Sequence, residues 1–152
     1  MNEDVDSSIE VDRMEYRRLT REMDGFWRDA SVASGLSDTS FFILFSICSE
    51  EKDFTQSELC KNYCFSKQTI NSSVKALEVS GLIEMKAAEG RKKILCLTQK
   101  GKDFCEAKVL PVMKAEQDSL SAFTQEERKQ FLFLMKKQLE YLKSKEEELW
   151  KN

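Results

Sequence analysis

The stretch from Phe54 to Cys105 contains two closely spaced helix-start signals, and it constrains the fold more than any other part of the chain. Thr55 is followed three residues later by Glu58, a capping box in which hydroxyl and carboxylate satisfy the free amides of a first helical turn. Ser66 is a second N-cap candidate. The apolar residues after Ser66 recur at helical spacing, at Ile70, Val74 and Leu77. The stretch therefore predicts two short helices separated by a turn.

An extended, basic segment follows the second helix. Gly81 supplies the left-handed residue that commonly ends a helix. The apolar residues of the predicted strands are Leu82, Ile83 and Met85, then Ile94, Leu95 and Leu97. Glu89-Gly90 is a tight-turn signal between them, and the basic residues of this region are Lys86, Arg91, Lys92 and Lys93. Two helices followed by such a hairpin form a winged helix-turn-helix.

The second predicted helix carries a polar face opposite its apolar stripe. This face contains Lys67, Gln68, Asn71, Ser72 and Lys75. Residues 54–105 hold 9 basic and 5 acidic side chains (+4), whereas residues 1–53 hold 6 and 13 (−7), and residues 106–152 hold 9 of each. A basic segment in an otherwise acidic or neutral chain is typical of a surface that faces phosphates. The alternative for any single lysine is a solvated face.

Long amphipathic helices flank this segment. We expect the first over residues 9–33 and the last from the Thr124–Glu127 capping box to Trp150, with Pro111 as a kink in the helix between. Exposed apolar stripes of this size are uncommon on monomers, so the terminal helices predict a homodimer. The expected interface residues are Tyr16, Leu19, Leu132, Met135, Leu139, Leu142 and Leu149. The alternative is that the first and last helices pair within one chain.

Composition narrows the class of protein. A charged fraction of 34% and a single proline in 152 residues favour a mainly α (α+β) fold in one domain over residues 1–152. No apolar run reaches the roughly 20 residues that cross a bilayer, and the start MNEDVDSS resembles no targeting signal, so we expect no membrane association and a cytoplasmic location. The chain has no histidine, nucleophile elbow or glycine-rich phosphate loop. We therefore predict no enzymatic activity, no cofactor and no metal.

The five cysteines form no C-x-x-C pair. They are Cys48, Cys60, Cys64, Cys96 and Cys105. An odd number without disulfide or zinc spacing favours small, partly buried apolar side chains. Redox sensing by one of them is the alternative.

Several short motifs together resemble the MarR family of bacterial transcription regulators. They are Thr55-Gln56-Ser57-Glu58-Leu59, Ser66-Lys67-Gln68-Thr69-Ile70, Leu77-Glu78-x-x-Gly81-Leu82-Ile83, and Arg91 ahead of Leu97-Thr98-x-x-Gly101. The resemblance implies a triangular dimer with a winged helix-turn-helix lobe at residues 37–105 and dimerisation helices at 9–33 and 106–150. Members usually repress transcription, and many release DNA when a small aromatic ligand enters a cleft beside the DNA-binding lobe.

The resemblance assigns DNA contacts to the helix after Ser66 and to the wing. The residues so assigned are Ser66, Lys67, Gln68, Thr69, Asn71, Ser72, Lys75 and Arg91. Lys92 and Lys93 join them as DNA-binding candidates because their positive charge suits phosphate contacts. Arg91 matches the wing arginine that enters the minor groove, while Glu89 stands where the family has aspartate. With two such units, we expect a near-palindromic operator of double-stranded DNA with half-sites roughly 10 base pairs apart.

A small aromatic effector would need aromatic walls beside the DNA-binding lobe. The residues that could supply them are Tyr16, Trp27, Phe41, Phe42 and Phe45, and the alternative is that these rings belong to the core. For the protein as a whole, the alternative to a DNA-binding regulator is a winged-helix interaction module or adaptor with weak or no DNA binding.

Overall fold

The computed structural model describes residues 7–50, 54–63, 65–88 and 93–150, and they form a mainly α fold with one small sheet. The elements are α1 (Ser7–Ser34), α2 (Asp38–Glu50), α3 (Gln56–Tyr63), α4 (Lys67–Val79), β1 (Ile83–Ala87), β2 (Lys93–Leu97), α5 (Gln99–Phe104), a π-helical turn (Cys105–Val109), α6 (Leu110–Ser121) and α7 (Gln125–Trp150). This order confirms the predicted winged helix-turn-helix with long terminal helices.

The chain divides into two compact units, which we call the N-terminal unit (Met1–Met113) and the C-terminal unit (Lys114–Asn152). The N-terminal unit contains both strands and all of α1 to α5. The C-terminal unit contains most of α6 and all of α7. A single domain over residues 1–152, with a lobe at 37–105 and dimerisation helices at 9–33 and 106–150, stays a prediction.

The predicted helix starts are confirmed by their hydrogen bonds. The Glu58 carboxylate accepts from the Thr55 backbone N–H at 2.7 Å, and Thr55 Oγ1 accepts from the Glu58 N–H at 3.2 Å. Ser66 Oγ accepts from the Thr69 N–H at 3.1 Å. A helix cannot satisfy its first amides internally, so such side chains stabilise its start.

One apolar core organises the N-terminal unit. Its fully buried side chains include Phe41 and Leu44 from α2, Leu59 from α3, and Leu95 from β2. The inward residues of α4 are Ile70, Val74 and Leu77, each 1% exposed, as their spacing predicted. The core thus fixes α4 by one face and leaves the opposite face to solvent.

The strands pair antiparallel, with Met85 opposite Leu95 and Lys86 opposite Ile94. Alternate residues of a strand point to opposite faces, so Ile83, Met85 and Leu95 lie on the face that packs on the core. The Leu95 N–H also donates to the Phe54 carbonyl at 2.8 Å, which ties the start of the helix-turn-helix to β2. The predicted turn at Glu89-Gly90 lies outside the described residues.

A π-helical turn stands where the sequence predicted a kink. The Leu110 N–H donates to the Cys105 carbonyl, five residues back. The ladder therefore shifts by one residue directly before Pro111, whose ring nitrogen has no hydrogen to donate. Cys105 and Val109 are buried in the core.

Among the described helices, none is by itself long and apolar enough to cross a bilayer. Length and composition would suffice only for α1 and α2 taken together, and these two are bent by 92° at their junction.

Candidate nucleic-acid interface

The outer face of α4 presents seven polar side chains to solvent. They are Ser66, Lys67, Gln68, Thr69, Asn71, Ser72 and Lys75, all of them exposed. The structure therefore brings together every helix residue that the sequence assigned to DNA contact. The major groove of DNA admits an α-helix, so an exposed polar helix face can contact base edges there.

These side chains differ in whether the fold already uses them. The Ser66 and Thr69 hydroxyls lie 2.8 Å apart, and Ser72 Oγ donates to the Thr69 carbonyl at 2.9 Å. By contrast, the side chains of Lys67, Gln68, Asn71 and Lys75 make no hydrogen bond or ion pair with any residue that the structure describes. The two amides and two ammonium groups are thus available to bind another molecule.

The C-terminal end of α4 is anchored by residues from beyond the sheet. Gly81 adopts φ 72°, which ends the helix, and Thr98 Oγ1 donates to the Gly81 carbonyl at 2.6 Å. Lys100 Nζ donates to the Ser80 carbonyl at 2.7 Å, where the last carbonyls of a helix lack partners. These bonds fix the position of α4 from its C-terminal end.

Gly101 allows this anchor to close. A Cβ atom placed at Gly101 would lie 1.9 Å from the Leu82 carbonyl oxygen, far inside contact distance. The Thr98 N–H also donates to that oxygen, at 3.1 Å, and Thr98 Oγ1 accepts from the Gly101 N–H at 3.0 Å. Only glycine at position 101 therefore allows α5 to lie directly against the Leu82 carbonyl, just beyond the end of α4.

The anchoring role of Lys100 was not predicted from the sequence. In the sequence, Thr98 and Gly101 stand out only as parts of the Leu97-Thr98-x-x-Gly101 motif. Thr98 lies three residues before Gly101, whose N–H its hydroxyl caps, and a threonine at this spacing predicts only the start of a helix. The bond from Lys100 to Ser80 joins residues 20 positions apart, and no local pattern encodes it.

The basic residues of the wing are described in part. Lys86 lies on β1, where it forms an ion pair of 3.0 Å with Glu84. Lys93 is exposed at the start of β2. Arg91 and Lys92, which the sequence assigned to the minor groove and to phosphates, lie outside the described residues.

Four of the five aromatic residues assigned to an effector cleft form one cluster. The Trp27 ring centroid lies 5.7 Å from that of Phe42 and 5.4 Å from that of Phe45, while Phe41 contacts both phenylalanines and is fully buried. Tyr16 is half-exposed and lines a shallow groove along α1. The structure thus groups Trp27 with the phenylalanines and does not place Tyr16 in ring contact with them.

Both terminal helices expose the apolar residues assigned to a dimer interface. On α1 these are Tyr16 and Leu19, at 50% and 46% exposure. On α7 they are Leu132, Met135, Leu139, Leu142 and Leu149, at 51% to 61%. Apolar stripes of this kind mark surfaces that bind a partner.

Four thiols are described, and no two of them are joined by a disulfide. Cys48, Cys60 and Cys96 are half-buried and Cys105 is buried, which agrees with their role as small apolar side chains. No group of three or more cysteine or acidic residues within the described ranges is arranged to hold a metal ion. Cys64 lies outside the described residues.

Solved structures share this architecture. No protein-family model and no curated protein matches the sequence. A MarR family regulator from Neisseria meningitidis superposes with a TM-score of 0.70 and 22% identity, covering 90% of this chain and 94% of the other. MepR, a transcription regulator of a Staphylococcus aureus multidrug efflux pump, was solved in complex with DNA. That structure superposes with a TM-score of 0.69 and 22% identity, covering 84% of this chain and 93% of the other.

A third structure, S. aureus MarR in complex with salicylate and kanamycin, gives a TM-score of 0.69 and 20% identity, covering 91% of this chain and 95% of the other. The three likenesses span nearly the full length of both chains. They confirm that this chain has the fold of the MarR family regulators, as the sequence motifs implied.

Proposed function

We propose that the protein is a dimeric, sequence-specific DNA-binding transcriptional regulator. The observation that carries the proposal is the outer face of α4, where two amides and two ammonium groups have no partner within the described fold. The similar MepR structure is a complex with DNA, which supports the same use of this fold. Such a regulator would act in the cytoplasm.

The side chains of α4 suit the edges of base pairs. A glutamine or asparagine amide can donate to and accept from adenine at once, and a lysine can bind the acceptors of guanine in the major groove. Gln68 and Asn71 would therefore read adenine, and Lys67 would reach guanine. Each bidentate contact contributes about 1–3 kcal/mol to discrimination between bases.

Other groups would hold the helix in register on the DNA. Lys75 and Lys93 are exposed, and their ammonium groups can bind backbone phosphates. The exposed Thr69 hydroxyl can also donate to a phosphate oxygen. The bonds from Thr98 and Lys100 to the C-terminal end of α4 would keep the helix at a fixed angle while it binds. From the sequence we also infer a phosphate contact for Lys92 and a minor-groove contact for Arg91.

The exposed stripes of α1 and α7 support assembly into a homodimer. A two-fold dimer presents two copies of α4 and so requires a near-palindromic operator, with half-sites about one helical turn apart. Repression is the outcome expected from this arrangement, because a bound dimer covers the DNA that it occupies.

Relief by a small effector is part of the proposal. The aromatic cluster of Trp27, Phe42 and Phe45 is only partly buried, and its rings suit a flat apolar molecule. The similar S. aureus MarR structure contains salicylate, an aromatic acid. A ligand of that class is the first to test.

Selection of genomic fragments by the purified protein tests the function. We expect enrichment of a near-palindrome, and we expect Asn71→Ala to weaken binding by about 1–3 kcal/mol at the adenine position that it reads. Lys75→Ala should weaken all sequences alike and flatten the slope of log affinity against log salt by about one unit. The matched control is Gln130→Ala, which removes an exposed amide from α7 and should leave DNA affinity unchanged.

The outcome that contradicts the proposal is equally definite. If no palindrome is enriched at low salt, and Asn71→Ala and Lys75→Ala leave residual binding unchanged, the fold serves a different purpose. Capture of a protein ligand by the exposed face of α4 would then support the interaction module.

A further inference from the structure

The corner between α1 and α2 has a fixed backbone path. The Leu36 N–H donates to the Ser31 carbonyl at 3.2 Å, and the Gly35 N–H donates to the Val32 carbonyl at 3.0 Å. This pair of bonds is a Schellman motif, and Gly35 adopts the left-handed conformation that the motif requires, with φ 77°. Only residues 35–37 separate the two helices, which are bent by 92° at their junction.

One side-chain hydrogen bond spans this corner. Ser31 is fully buried, and its hydroxyl donates to the carboxylate of Asp38, the exposed first residue of α2. The same hydroxyl lies 2.8 Å from the Arg28 carbonyl of its own helix. Because a hydroxyl has one hydrogen, Arg28 can accept it whenever Asp38 does not. The bond across the corner can therefore break without leaving a buried polar group unpaired.

The corner connects the surface assigned to the dimer with the face assigned to DNA. On one side, α1 exposes Tyr16 and Leu19. On the other side, α2 supplies Phe41 and Leu44 to the core on which α4 packs. The position of α4 relative to α1 therefore depends on the angle between α1 and α2.

The aromatic contacts between α1 and α2 hold the helices together without fixing that angle. The Trp27 ring lies against those of Phe42 and Phe45. Apolar attraction is non-directional, so these rings can slide past each other at little cost. The bond from Ser31 to Asp38 depends on the direction from donor to acceptor, so it selects one angle.

We propose that Ser31 and Asp38 are positioning residues that set the distance between the two copies of α4 in the dimer. That distance determines which spacing of operator half-sites the dimer accepts, and this link to the operator rests on the proposed function. Base preference within a half-site belongs to the outer face of α4 and does not depend on the corner.

The lever formed by α2 makes a small change of angle sufficient. α2 has 13 residues, so its far end lies about 20 Å from the corner. A change of about 5° in the corner moves that end by about 1.7 Å. Two protomers together can change the distance between the α4 copies by about 3.4 Å, the rise of one base pair.

A distance measurement on the DNA-free dimer tests the corner without an operator. A ketone-bearing amino acid in place of Ser72, an exposed residue of α4, carries one nitroxide in each protomer. Double electron–electron resonance then reports the distance between the two copies of α4. We expect one narrow distribution for the otherwise unchanged chain. In Asp38→Ala and in Ser31→Ala it should widen or shift by about 3 Å.

Two further variants separate the hydrogen bond from the charge of Asp38. Asp38→Asn keeps an oxygen that accepts from Ser31, so its distance distribution should remain narrow. The matched control is Asp29→Ala, which removes an exposed carboxylate of α1 that makes no hydrogen bond or ion pair with any described residue. It should leave the distribution unchanged.

A series of synthetic operators gives the functional measurement. The half-site is the same throughout, and its spacing differs by one base pair between successive operators. We expect the wild type to bind one spacing about tenfold more tightly than its neighbours. In Asp38→Ala and Ser31→Ala this ratio should fall to about twofold, because a corner that can bend reaches the neighbouring spacings. A mere loss of stability would weaken binding at every spacing by the same factor and leave the ratio unchanged.

The outcomes distinguish the corner from the proposed function. If an operator is found, but both alanine variants keep the wild-type distance distribution and spacing ratio, the corner does not set the spacing and the DNA-binding proposal stands. If no operator is found, but the distribution widens in both variants, the corner fixes the dimer and the DNA-binding proposal fails. Absence of any distance between the labels would indicate a monomer and overturn both. A distribution that widens equally in Asp29→Ala would also overturn the role of Ser31 and Asp38.

Discussion

The helices α4 and α7 carry apolar stripes of similar spacing, yet only one of them is covered. Ile70, Val74 and Leu77 of α4 are each 1% exposed, because α2, α3 and the sheet pack on them. Leu139 and Leu142 of α7 remain 51% and 56% exposed. An amphipathic pattern therefore indicates that a face will be buried, but it does not indicate whether the same chain supplies the cover.

The two helices also differ in how their ends are fixed. α4 has a serine cap at its start and bonds from Thr98 and Lys100 at its end. In the C-terminal unit, α7 begins at the Thr124–Glu127 capping box, and Arg128 donates to the Phe123 carbonyl ahead of it. We infer that α4 is positioned by its own chain, whereas α7 depends on a partner.

The largest effect is expected from variants that weaken the binding of α7 to its partner in the dimer. Replacing Leu139 and Leu142 by glutamate changes four leucines in a two-fold dimer, at a cost of about 4 kcal/mol or roughly a thousandfold in dimer Kd. Sedimentation equilibrium should then report a monomer. The control is Lys137→Glu, on the opposite face of α7. A double variant that stays dimeric at micromolar concentration would show that α7 is not the interface.

A somewhat smaller effect should follow from breaking the anchor of α4. Gly101→Ala forces a Cβ against the Leu82 carbonyl, so we expect a loss of about 3 kcal/mol in the free energy of unfolding, measured in urea at fixed protein concentration. Gly25→Ala is the matched control, since a Cβ there meets no atom within 4 Å. It should raise stability by about 0.5–1 kcal/mol. Equal effects at both positions would refute the close approach.

The helix caps and the inward face of α4 show which features of the fold can be predicted from the sequence. The caps at Thr55, Ser66 and Thr124 were predicted correctly, because each depends on residues only three positions apart. The inward face of α4 was equally predictable from its spacing. Local patterns thus account for the helices and for which face of each is apolar.

What the sequence could not predict is contact over long separations. The bond from Lys100 to Ser80 depends on the complete fold, because it joins residues 20 positions apart. The π-helical turn was not predicted for another reason. It differs from an α-helix by one shifted hydrogen bond, and the spacing of Phe104, Cys105 and Val109 in the sequence gives no sign of that shift. The wing tip, for which the sequence made definite predictions at Arg91 and Lys92, stays a prediction.

The smallest effect concerns the start of α7 and its dependence on pH. Hydrogen bonds from the Thr124 backbone and side chain hold the pKa of Glu127 below its ordinary value of 4.5. A lowered pKa means that the stabilisation is present above pH 4.5 and is lost as pH falls through the lower folded value. Carboxyl NMR should show Glu127 titrating below 4.5. In Glu127→Gln, which keeps a capping amide, the acid-induced fraying at the start of α7 should disappear.

The unpartnered side chains on α4 have a consequence for the evolution of such a protein. Folding depends on Ile70, Val74, Leu77 and the anchored ends of the helix, whereas the exposed side chains of Gln68 and Asn71 make no hydrogen bond within the described structure. Exchange of these amides therefore costs little stability. Duplicated copies of the gene could acquire new target sequences by single substitutions, without passing through an unfolded intermediate. The same separation makes positions 67, 68, 71 and 75 suitable for a library in which new DNA specificities are selected on an unchanged scaffold.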